Sequence, residues 1–245
     1  MSTLAIHTYG QGRPLVLLHG WGFDSSVWQP ILEDLLALPN PYQLILVDLP
    51  GFGHSPPMTW DMFKTCLIAH LPSKIMMLGW SLGGLYATKF ALEAPQCVEK
   101  LLLVTSTPYF MQTEDWPGIV TQTLDNFYHQ FEKDPQKTQQ QFIRSQLPQH
   151  VHNDLLSTSN LASLEGLKLG LSMLKHWDLR EHLIHLPMPV AYLFGRLDRI
   201  VSSKTAASLA LHHPQAHCTI LPYAAHLPFL SHRTDFITWL QEVGG

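Results

Sequence analysis

The chain has 245 residues, of which 46% are hydrophobic and only 14% charged, with a net charge of −4. That is enough apolar material for one large buried core, and it lacks the clustered positive charge of a nucleic-acid surface. No apolar run is long enough to span a bilayer, and the first residues lack the basic and apolar regions of a secretory leader, so a cytoplasmic protein is expected.

In chain order, short apolar runs alternate with helical patterns. Leu4–Tyr9 reads as an edge strand. Leu15–Leu18 reads as a buried strand ending at His19-Gly20, and Trp28–Leu38 as a covering helix. Gln43–Val47 is a second buried strand, ending at Asp48, and Ile75–Leu78 a third. Gly84–Glu93 is helical, and Leu101–Val104 is the next strand. Alternation of this kind marks a mostly parallel sheet covered on both faces.

Between Pro108 and Pro187 the strand signals stop. Val120, Leu124, Phe127 and Phe131 form an apolar stripe at helical spacing, as do Leu161, Leu164, Leu167, Leu171 and Leu174, and Asp134-Pro135 is a helix start. The stretch is too long for one crossover helix, so a helical cap over residues 109–186 is expected on a core of 1–108 and 187–245. Strands return at Val190–Phe194 and Cys218–Leu221, followed by a helix over Thr234–Glu242. Cys66, Cys97 and Cys218 have neither zinc-site nor disulfide-framework spacing and read as buried free thiols.

The chemistry concentrates at Gly79-Trp80-Ser81-Leu82-Gly83, a G-x-S-x-G pattern between strand and helix. In that context the pattern is a nucleophile elbow: the serine stands on a sharp turn, and the glycines leave room where strand and helix backbones pass. A serine needs a base oriented by a carboxylate, and the α/β-hydrolase fold supplies them in the order Ser, Asp, His. Asp198 follows the strand ending at Phe194, and His226 follows the last strand behind two alanines, with His232 as a nearby competitor. The oxyanion donors expected are the backbone amides of Leu82, after the nucleophile, and of Trp21 in His19-Gly20-Trp21-Gly22. His19 reads as a brace for that loop. Asp48–Ser55 is Gly-rich but lacks a P-loop lysine, and reads as a structural turn. An aspartate nucleophile, as in dehalogenases and epoxide hydrolases, is excluded by Ser81, and no metal or organic cofactor is required.

Several segments together resemble one family. Leu17–Gly22, Val47–Gly53, Leu78–Gly84, Asp115-Trp116-Pro117-Gly118-Ile119 and Ala224-Ala225-His226 are similar to the pimeloyl-[acyl-carrier protein] methyl ester esterases of biotin synthesis. The resemblance implies a serine carboxylesterase that frees the masked carboxylate of a pimeloyl chain carried on acyl-carrier protein. It implies a triad of Ser81, Asp198 and His226. It also implies substrate contacts at Trp21, Ser81, Leu82, His226 and Phe142-Ile143-Arg144-Ser145-Gln146. Trp21, Trp80 and Phe142 are expected to form an apolar cleft for the acyl chain. Acidic residues outnumber basic ones in the cap, so the basic face offered to a carrier protein is narrow: Lys137 and Arg144, with Gln141 between. A broad short-chain carboxylesterase without carrier preference and a non-catalytic receptor on the same fold use the same residues. Loss of turnover on replacing Ser81 separates the enzymes from the receptor.

Overall fold

The computed structural model describes residues 3–146 and 162–245. Seven strands form one sheet: β1 Ile6–Tyr9, β2 Arg13–Leu18, β3 Tyr42–Val47, β4 Ile75–Trp80, β5 Val98–Val104, β6 Val190–Gly195 and β7 His217–Leu221, in the order β1-β3-β2-β4-β5-β6-β7. β1 is an antiparallel edge strand on β3, and every other pairing is parallel. This is the α/β-hydrolase architecture expected from the alternating pattern.

The pleat divides the apolar runs between two cores. Val16 and Leu18 of β2 face one cluster with Phe63, Leu85 and Phe90, whereas Leu15 and Leu17 face the other with Trp28, Phe236 and Trp239. Each such side chain, fully buried, contributes about 1.5–3 kcal/mol. The helices are α1 Leu32–Leu36, α2 Trp60–His70, α3 Leu82–Glu93, α4 Thr121–Lys133, α5 Pro135–Gln146, α6 Leu164–His176, α7 Thr205–His212, α8 Pro228–Ser231 and α9 Arg233–Gly244. The helix expected over Trp28–Leu38 is broken. A 3-10 turn over Ser25–Ile31 contains Pro30, which has no amide to give, and regular helix begins only at Leu32.

Between β5 and β6 the described residues contain helices α4, α5 and α6 and no strand of the sheet. Both apolar stripes fall on these helices, except Val120, which is the exposed N-cap of α4, and Leu161, which lies outside the described residues. Asp134 caps α5 as expected, its Oδ1 accepting from Lys137 N at 3.0 Å. These helices lie against the loops that leave the C-terminal ends of β2 and β3. Gln139 Nε2 donates to Gly22 O (2.8 Å), Ser163 N donates to Gly51 O (2.8 Å), and Trp21 Nε1 donates to Leu167 O (2.9 Å). Gly51 and Gly166 touch backbone to backbone, where a Cβ on Gly51 would lie 2.4 Å from Gly166 Cα. The cysteines are free, and half-buried instead of fully buried. No helix among the described residues is long and apolar enough to cross a membrane.

Candidate active site

Ser81 joins β4 to α3 with φ 54° and ψ −119°, a conformation that an L-residue adopts at a cost of about 1–3 kcal/mol. Its neighbours hold it there. Ser81 N donates to Val104 O (3.1 Å), Gly84 N donates to Ser81 O (2.9 Å), and Ser106 Oγ donates to the same carbonyl (2.7 Å). The motif glycines are required by contact. A Cβ on Gly79 would stand 2.4 Å from Gly83 O, and one on Gly83 would stand 2.3 Å from Leu18 O on the neighbouring strand.

Asp198 and His226 arrive on the loops after β6 and β7. Gly195 lets these loops touch: a Cβ there would lie 2.4 Å from Ala225 O, and Leu197 N donates to Ala224 O at 2.9 Å. His226 Nδ1 meets Asp198 Oδ2 at 2.8 Å, both side chains being almost completely buried. Asp198 Oδ1 accepts from Ile200 N (2.8 Å) and Val201 N (3.1 Å), so both carboxylate oxygens are engaged and the side chain cannot rotate away. A carboxylate only accepts, which puts the imidazole proton on Nδ1 and the lone pair on Nε2. That Nε2 is buried without a hydrogen-bond partner. His232, the alternative base, instead lies beside Ser231 Oγ, at 3.0 Å.

The His226 backbone is tied to the elbow. Its carbonyl accepts from Trp80 Nε1 (2.9 Å) and Thr105 Oγ1 (2.8 Å), and the Trp80 and His226 rings lie 5.6 Å apart. This corrects the cleft-lining role expected of Trp80. The side chain is buried on the far face of the sheet among Phe23, Trp28 and Phe229, where it positions the histidine loop. A Cβ on Gly20 would press the Trp80 ring at 3.0 Å, whereas Gly22 is needed for its φ of +83°. No motif signals Thr105 or Ser106, because the Ser106–Ser81 contact arises only when β4 and β5 pair and the Thr105–His226 contact only when the loop after β7 returns to the end of β5.

Among the described residues neither the Trp21 nor the Leu82 amide donates to another protein group, and Leu82 opens α3, whose positive dipole end favours a developing anion. His19 braces the loop that carries Trp21. Fully buried, it holds Gly20 O through Nδ1 (2.9 Å) and accepts from Leu49 N through Nε2 (2.9 Å), and burial lowers its pKa. Asp48 closes its own turn by accepting from His54 N, against a Gly53 whose Cβ would strike the carboxylate, and ties that turn to the segment after β2 by accepting from Ser25 N.

Ser81 opens into an apolar cavity of about 170 Å³ roofed by α4, α5 and α6 through Phe127, Phe142 and Leu171, with Trp21 in its wall. Trp21 meets Phe127, Phe131 and Phe142 edge-on at 5.1–6.1 Å. Of the predicted segment Phe142–Gln146, only Phe142 lines this cavity. Ile143 is buried over Gly22, and Arg144 and Ser145 are exposed, because one helix face cannot present five consecutive residues. Lys137, Gln141 and Arg144 are all exposed, as their spacing requires. The Asp-Trp-Pro-Gly motif is a knot at the base of the inserted segment. Trp116 Nε1 donates to Tyr109 O (2.9 Å), the Arg180 guanidinium lies over Tyr109 and Trp116, and Met111 bridges Ile119. The knot delivers Phe110 and Ile119 to the cavity wall.

A strand–serine–helix elbow and a His–Asp pair beyond the ends of a parallel sheet define a hydrolase of the α/β class. Residues 15–239 match the model of the Alpha/beta hydrolase family, to which the chain belongs. Solved structures share the fold. An esterase from Exiguobacterium antarcticum superposes with a TM-score of 0.89 at 22% identity over all of both chains, and a bromoperoxidase from Bacillus anthracis with 0.87 at 20% over 98% and 94%. Sequence relatives narrow the class. The pimeloyl-[acyl-carrier protein] methyl ester esterase of Legionella pneumophila (strain Corby) is 47% identical over 96% of each chain. That of Shewanella woodyi is 40% identical over 98% of this chain and 97% of its own. Within the hydrolases, this chain is a member of that family of esterases.

Proposed function

We propose that the chain hydrolyses the methyl ester of a pimeloyl group carried on acyl-carrier protein, with Ser81, Asp198 and His226 as its catalytic triad. The observation that carries the reading is His226 Nε2: a buried base with its lone pair free, its other nitrogen fixed by Asp198 at 2.8 Å, and its backbone tied to the strand that ends in the nucleophile. His226 Nε2 takes the Ser81 proton as Oγ attacks the ester carbonyl. The Trp21 and Leu82 amides receive the negative charge that develops on the carbonyl oxygen. Asp198 holds the tautomer and stabilises the imidazolium. His226 then protonates departing methanol. Water, activated by the same base, cleaves the acyl-enzyme, so the cycle consumes one water and yields one carboxylate, one methanol and one proton.

The residues flanking Ser81 suit an acyl chain. The cavity is apolar, and at about 170 Å³ it is smaller than the roughly 300–1,000 Å³ of drug-sized sites, which favours an unbranched chain over a ring. Residues 1–108 and 187–245 form the catalytic core of this reading and 109–186 its cap. The exposed face of Lys137 and Arg144 is the side offered to an acidic carrier protein. Half-buried free thiols suit a reducing cytoplasm.

Ser81→Ala is the direct test. Turnover of a p-nitrophenyl ester should fall by at least about 10⁴-fold, and complementation of a biotin auxotroph lacking this esterase should fail. A mutant that hydrolyses at the wild-type rate removes Ser81 from the mechanism. A folded wild-type protein that cleaves simple esters but does not complement removes the carrier-bound substrate.

A further inference from the structure

Among the described residues that line the cavity, one is charged. Arg199 stands with Ile200 in a mostly apolar wall that includes Phe110, Leu124, Leu171 and Leu174, and it is itself exposed, so it marks a place where the cavity opens to solvent. Its backbone is not free to wander. It follows Asp198, whose carboxylate accepts from the two amides after Arg199. Among the described residues no carboxylate engages its guanidinium, whereas Arg13, Arg180 and Arg233 are paired with Glu99, Asp178 and Asp34.

We propose that Arg199 recognises a carboxylate at the far end of a substrate whose methyl ester lies at Ser81, and that the enzyme therefore also hydrolyses carrier-free methyl half esters of unbranched dicarboxylic acids. The proposal rests on Ser81 as the nucleophile. An unpaired carboxylate entering an apolar cavity loses its hydration without compensation and is rejected. A guanidinium at the rim reverses this, because its planar fork matches a carboxylate in two charge-assisted hydrogen bonds and remains partly hydrated itself. The two ends of the half ester are then sorted by charge: the neutral end goes to the apolar floor and the anionic end to Arg199. Hydrolysis adds one water across the acyl C–O bond, releasing methanol, a proton and the dicarboxylate.

The test compares kcat/KM for the monomethyl and dimethyl esters of the same acid, over unbranched chains from glutarate to azelate. In the wild type, half-ester turnover should peak at the chain length that spans Ser81 to Arg199. In Arg199→Gln the ratio of half-ester to diester kcat/KM should fall roughly ten- to hundredfold, mainly through KM, and Arg199→Lys should restore part of it, a point charge replacing the fork. An unchanged ratio in Arg199→Gln, or a wild type that cleaves diesters but no half ester, overturns the role of Arg199 and leaves the triad standing. A Ser81→Ala protein that still cleaves the neutral diester instead overturns the nucleophile on which the proposal rests.

Discussion

Around Ser81, Asp198 and His226 the chain is fixed mainly through its own backbone, whereas around Phe127, Phe142 and Leu171 it is fixed through side chains. On the floor, carbonyls of Ser81 and His226 accept from Ser106, Trp80 and Thr105, and glycines at 79, 83 and 195 let strands, helix and loops meet backbone to backbone. In the roof, aromatic edges and aliphatic groups meet across a cavity, with few hydrogen bonds to the core. On the proposed reading, the contrast gives precision to the triad, where a misplaced base is costly, and adaptability to the surface offered to the acyl chain.

The sharpest way to break this contrast is Asp198→Asn. An amide in place of the carboxylate can offer N–H to the imidazole and favour the wrong tautomer, and kcat should drop by about 10⁴-fold with little change in thermal midpoint, as in the serine-protease precedent. A loss below tenfold would mean that Asp198 does not orient His226. Trp80→Phe probes the floor more gently. It keeps an aromatic ring against Gly20 but removes the bond to His226 O, and a roughly tenfold fall in kcat at constant KM is expected. A rise in KM instead would return Trp80 to the cleft wall.

In the roof, Phe142→Ala removes edge contacts to Trp21 and Phe127, and KM for acyl esters should rise roughly three- to tenfold with kcat nearly kept. Steady-state kinetics over a chain-length series would expose the opposite split. The smallest effect concerns the flank where α6 ends against α3. Lys89 lies between the Trp60 and Trp177 rings and pairs with Glu93, which also accepts from Lys64 and Trp60. Burial raises the Glu93 carboxyl, but these hydrogen bonds outweigh it and bring its pKa down to about 2. A folded pKa below the unfolded one stabilises the native state above about pH 4.5, and this contribution fades as pH falls toward 2. After discounting for solvent screening it amounts to about 1 kcal/mol or less, so Glu93→Gln should flatten the acid limb of a melting curve only slightly.

Amino-acid order alone determined the mostly parallel sheet, the elbow and the strand ends at which Asp198 and His226 meet. Each depends on local signals: strand periodicity, glycines flanking a serine, and polar residues just past strand ends. The stripe of α4 and the start of α5 were legible for the same reason. The 3-10 turn at Pro30 was not read, since the apolar spacing of Trp28–Leu38 suggested one helix. What the sequence did not disclose depends on contacts between distant segments. Trp80 belongs to the motif, yet the face it occupies was settled by Gly20, Phe23 and Phe229 packing around it. Thr105, Ser106 and Arg199 stand beside the site because neighbouring parallel strands end at one level and send their loops to one edge, a convergence that no local spacing encodes.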